Sequence, residues 1–149
     1  MNYETIDPGE PISRVELTRL ERQMGFQVPD DYKEFLITCN GGYATPEKGI
    51  IHYYHPVRQV PGEDIGVDMF FQAKFVLNDN PGEVFMPTKC RVIADVAGGN
   101  LIVLSCRDGD YGAIYLCDLN HYNDDGNFTV KLADSFRQFY ESLGPADPV

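Results

Sequence analysis

Cys106, Asp118 and His121 are the residue types from which hydrolytic or metal chemistry is ordinarily assembled. A thiol becomes a nucleophile once a histidine takes its proton, and a carboxylate orients that histidine or joins it on a cation. Every such constellation in this chain fails at its second member. Ser105 and Ser142 lack a G-x-S-x-G elbow, and neither a phosphate-cradling glycine loop nor an H-E-x-x-H pair is present. A cysteine inside an apolar strand is ordinarily a small core residue. His52 and His55 are three apart in a β-rich run, which puts them on opposite faces rather than on one metal. Asp118-Leu119-Asn120 and Asp124-Asp125-Gly126 crowd oxygen ligands into one turn. With Gly126 as the sixth residue of an EF-hand loop, however, His121 would stand first and Leu132 twelfth, where Asp and a bidentate Glu are required. The expectation is a chain with no catalytic residue, cofactor or metal.

Tyrosines beside acidic turns suggest recognition instead. Tyr111 stands beside Asp108 and Asp110, and Tyr122 beside Asp124 and Asp125. Each pairs a rigid aromatic anchor with negative charge, as suits a protein interface. Glu63, Asp64 and Asp68 form a second acidic group. Against 12 Lys and Arg stand 23 Asp and Glu, a formal charge of −11. That sign repels phosphate backbones and steers toward basic proteins. The four cysteines form no C-x-x-C pair, and the start MNYETIDPGEP has neither a basic nor an apolar signal region. These features predict a cytoplasmic protein with a protein partner, no nucleic acid or membrane partner, and a monomeric or weakly dimeric state.

The elements that must position these residues are legible from period and punctuation. Ser13-Arg14-Val15-Glu16 is a capping box, followed by Leu17, Leu20 and Met24 at helical spacing and by Gly25 as a stop. Pro29 suits the first position of a second helix, in which Tyr32, Phe35, Leu36 and Cys39 form an apolar stripe that halts at Asn40-Gly41-Gly42. Beyond residue 48 the period falls to 2. Strands are predicted at Ile50 to Tyr54 and Val67 to Phe71, then at Arg91 to Ala94, Leu101 to Ser105, Ala113 to Asp118 and Phe128 to Leu132. Asn78 to Pro87 reads as a loop. Asp134 or Ser135 caps a last helix carrying Phe136, Phe139, Tyr140 and Leu143. The order α-α-β(4 to 6)-α implies one α+β domain over 1–149, with a mainly antiparallel sheet covered on one face by helices.

Four stretches, LTRLERQMGFQVPDDYKEFLITCNGG, CRVIADVAGGNLIVLSC, GAIYLCD and LADSFRQFYESLG, together resemble the SUKH superfamily of Smi/Knr-like proteins. The carriers are Pro29, Tyr32, Phe35, Leu36, Asn40, Gly41 and Gly42, then Ile93, Ala94, Asp95, Gly99 and Asn100. Gly112, Tyr115, Asp118, Ser135, Phe136, Phe139 and Leu143 complete the set. Members often have a tryptophan in the central strands. This chain has none, leaving Tyr53, Tyr54 or His55 for its place. The resemblance implies a non-enzymatic binding role, either an immunity protein that neutralises a polymorphic or contact-dependent toxin, frequently a nuclease, or a regulatory scaffold. It also implies that the motif residues serve architecture, with partner choice left to the sheet surface and its turns.

Overall fold

The structure, a computed structural model, describes residues 2–52, 54, 55, 60, 61, 64–78, 87–117 and 130–145. Tyr53, Glu63, Asp118, His121, Tyr122, Asp124 and Asp125 lie outside the described residues, as does most of the expected 78–87 loop.

Helix α1 (Arg14–Met24) begins where the Ser13 hydroxyl accepts the Glu16 amide at 3.1 Å. The second half of the capping box is not made: the Glu16 carboxylate turns to Arg19 one turn on, a charge-assisted contact that outcompetes a single amide. Helix α2 (Asp30–Thr38) has Pro29 as its cap rather than its first residue, because ψ 150 there keeps the proline extended. Glu21, buried on α1, ties the two helices together. One of its oxygens accepts the Val28 amide at 2.8 Å and the other faces the Lys33 ammonium at 3.4 Å. At the start of helix α4 (Phe136–Ser142), Ser135 Oγ accepts the Gln138 amide, and Gln138 Oε1 reaches back beyond the cap to accept the amide of Asp134. Tyr32, Phe35, Phe136, Phe139 and Tyr140 meet Tyr3 and Phe70 in one aromatic core, with the Phe35 and Phe136 centroids 4.7 Å apart.

The strands are β1 (Gly42–Tyr43), β2 (Ile50–Ile51), β3 (Tyr54–His55), β4 (Val60–Pro61), β5 (Ile65–Phe70), β6 (Cys90–Val96), β7 (Asn100–Ser105), β8 (Ile114–Cys117) and β9 (Val130–Ala133). Strands β3 and β4 pair with each other in a separate two-stranded sheet. Among the described residues the others form a seven-stranded sheet in the order β1-β5-β6-β7-β8-β9, with β2 also on β5, and these pairings are antiparallel. The α+β class holds, but among the described residues the main sheet has seven strands where four to six were expected. The added strand is β1, which precedes the Pro46–Lys48 turn, whereas β2 begins the expected first β segment; both pair with the long edge of β5. A further short helix, α3 (Ala73–Val76), was not expected; four residues are too few to display a period.

Ala94, Val96, Ile102, Leu104, Ile114 and Leu116 face the helices, whereas Cys90, Val103 and Cys117 pack on the opposite face with Val92, Leu101 and Tyr115. A bulge between Val92 and Ala94 switches β6 from one face to the other. The double glycine after α2 has a spatial reason. A Cβ on Gly41 (φ 76) would lie 2.7 Å from the Phe70 carbonyl oxygen, and one on Gly42 (φ 117) would lie 2.6 Å from Thr5 Oγ1. Both backbones are pressed between β5 and the N-terminal arm, so one glycine would not suffice. No helix among the described residues is long and apolar enough to cross a membrane.

Candidate functional site

Two of the motif residues, Asn40 and Asp95, hold main chain in place. Asn40 donates from Nδ2 to the Glu10 carbonyl at 2.7 Å, while its Oδ1 accepts the Ala73 amide at 2.8 Å, so one side chain holds both the arm and α3. Asp95 Oδ1 accepts the Met69 amide at 3.0 Å, where the bulge between Val67 and Met69 removes that amide's ladder partner.

The turn between β7 and β8 divides its two aspartates. Asp108 is exposed at the tip. Asp110 folds inward and accepts from Ser105 Oγ and Tyr115 Oη, each at 2.6 Å, and from the Arg107 guanidinium. Arg107, assisted by the two hydroxyls, holds the Asp110 carboxyl far below the usual carboxylate range, against the opposing pull of burial. Tyr115 is pushed up to about 12, by burial first and then by the adjacent carboxylate. Tyr111 is half exposed, yet its hydroxyl donates to the Gln27 carbonyl at 3.2 Å and fastens the turn to the link between α1 and α2.

The second acidic group is not brought together with this turn. Strands β5 and β7 both pair antiparallel with β6 and so run parallel to each other; Asp64, just before β5, lies at the end of the sheet opposite the turn that follows β7. Its Oδ1 is 2.8 Å from His52 Nδ1 on the surface. Asp68 is exposed four residues further along the strand, about 13 Å away at ordinary strand rise.

Of the Cys106, Asp118 and His121 grouping, only Cys106 is among the described residues. Its thiol is buried and pushed up to about 12 by that burial, and burial likewise raises Cys90. A thiol so protonated is a poor nucleophile at neutral pH. Among the described residues no group of three or more His, Cys, Asp or Glu is placed to hold a metal ion.

Sequence reasoning missed an exposed row on the helix-free face. The N-terminal arm alternates, with Tyr3 buried in the core and Thr5 bonded to the Gly41 carbonyl, while Glu4 and Ile6 point outward. Ile6 and Tyr43 exchange both main-chain hydrogen bonds at 2.8 Å, and Tyr43 is in register with Met69. Residues directly opposite in antiparallel strands share a face. Ile6, Tyr43 and Met69 therefore form one cross-strand row, with Ile6 45% and Tyr43 49% exposed. The arm's period-2 pattern was visible in NYETID, but its partner strand was not.

Comparison with known proteins places these features in a family context. Residues 11–142 match the family described as SMI1 / KNR4 family (SUKH-1). A similar protein is the SPbeta prophage-derived uncharacterized protein YokK of Bacillus subtilis (strain 168), 32% identical over an alignment of 157 positions that covers 93% of this chain and 80% of the relative.

Proposed function

The chain belongs to the SMI1 / KNR4 family (SUKH-1), and from that premise we propose that it is a non-catalytic protein-binding domain of immunity type. In this reading it binds a cognate basic toxin domain, of which a nuclease is the leading case, in the cytoplasm of the producing cell and neutralises it. The observation that carries the reading is the way charge is spent. Arg14, Arg19, Lys33, Arg107, Lys131 and Arg137 each pair with a carboxylate of this chain. Lys48 donates to the Glu141 and Leu143 carbonyls, and Arg91 to those of Cys90 and Asn78. With most cations committed internally, the surplus behind the −11 charge is presented by exposed carboxylates, Asp108 and Asp68 among them. A nuclease cleft built for phosphate is basic, and an acidic partner associates with it rapidly and competes with its substrate.

The test is calorimetric titration of the purified chain with the catalytically inactivated product of the neighbouring gene, at low and at high salt. The expected result is nanomolar affinity that weakens with salt, accompanied by inhibition of the active toxin. Absence of binding would overturn the reading in favour of a regulatory scaffold.

A further inference from the structure

We propose that the row of Ile6, Tyr43 and Met69, rimmed by Glu4, Asp7 and Asp68, is the docking surface, and that its occupant is a basic protein patch presenting an apolar side chain among lysines and arginines. The inference rests on the binding role proposed above and supplies the site.

Three observations carry it. The first is contiguity. Among the described residues the other large exposed apolar side chains are Val15, Phe75 and Tyr111. Tyr111 is tied by its hydroxyl to Gln27, and Phe75, though 65% exposed, has the Lys74 ammonium 5.2 Å from its ring centroid. Ile6 and Tyr43 instead stand directly opposite each other, with Met69 next in register.

The second is rigidity. Thr5 Oγ1 donates to the Gly41 carbonyl at 2.7 Å, Tyr140 Oη bonds both the Glu4 amide and the Glu4 carbonyl, and Gly41 and Gly42 are pressed against backbone on either side. A row held this way loses little conformational entropy on binding, and tyrosine adds large contact area for few rotatable bonds.

The third is charge. The segments that build the row, residues 2–10, 42–45 and 64–70, contain Glu4, Asp7, Glu10, Asp64 and Asp68 but no lysine or arginine. Glu4, Asp7 and Asp68 are exposed beside the apolar row. An apolar centre within an acidic rim rejects acidic partners and nucleic acid and selects a basic patch with a central apolar anchor. Ile6 also lies outside the family-matched residues 11–142, so the row joins the family scaffold to a segment beyond that match.

The experiment uses the inactivated neighbouring toxin domain as probe, against the full chain and the variants Tyr43→Ser, Asp68→Lys and Val15→Ser. Tyr43→Ser is expected to weaken binding on the order of tenfold or more, as truncation of a central aromatic does. Asp68→Lys should slow association, and Val15→Ser should bind as the parent does. On the unaltered chain, amide exchange of residues 4–7 and 42–45 should slow in the complex, a readout that stands even if Tyr43→Ser folds poorly. Parent-like binding by Tyr43→Ser and Asp68→Lys, with no protection of those segments, overturns this surface and leaves the binding role intact. Failure of the parent chain itself to bind overturns the role and this inference with it.

Discussion

Asp108 and Asp110 illustrate how much one residue's role depends on what folds around it. The two carboxylates are two positions apart in the same acidic turn and read alike as negative charge beside the Tyr111 anchor. Asp110 is drawn inward because Ser105, Arg107 and Tyr115 supply donors that a lone surface carboxylate would not have. Replacing it by Asn removes the charge-assisted contacts and should lower stability by about 1–2 kcal/mol at neutral pH, the lower end being favoured because the pair is partly solvated. The pH dependence has a definite sign. Since the folded carboxyl titrates below its unfolded value, its contribution is present above about pH 4 and is lost as pH falls through the folded value. Urea denaturation of parent and Asp110→Asn across acid pH should show the two curves converging as pH drops. A constant gap would mean that the contacts stabilise the fold through packing rather than charge.

At the scale of elements, punctuation was more legible than partnership. The caps at Ser13 and Ser135, the left-handed stop at Gly25 and the apolar stripes of α1, α2 and α4 follow from local chemistry, and the structure has them. The arm, α3 and the added strand β1 do not, because each is fixed by a strand or side chain distant in sequence. The glycines show the difference. Gly25 has φ 98 and open space around a notional Cβ, so Gly25→Ala should cost about 1 kcal/mol for the left-handed backbone alone. Gly41→Ala adds a clash with the backbone of Phe70, Phe71 and Gln72 and should cost about 3 kcal/mol or more. Denaturant midpoints of the two variants check this. Equal losses would mean that the arm and β5 move aside freely.

At the scale of the whole molecule, an acidic body whose cations are largely engaged internally should associate with a basic partner at a rate that falls steeply with ionic strength, while dissociation changes little. Stopped-flow association at several salt concentrations checks this. A rate indifferent to salt would remove electrostatic steering from the account and leave apolar docking to explain affinity. The sequence by itself determined the α+β class, helices α1, α2 and α4 with the serine caps of the first and last, the central meander, the sign of the charge and, through four ordered motifs, the family, since each rests on neighbours in the chain or on composition. Tertiary structure alone decided the rest. It turned Asp110 inward and left Asp108 out, set Asp64 and the Asp108 turn at opposite ends of the sheet, and aligned Ile6, Tyr43 and Met69 across strands. A cross-strand row is made of residues far apart in the chain that share a face only once register is fixed, and register is set by hydrogen bonds between strands that no local pattern records.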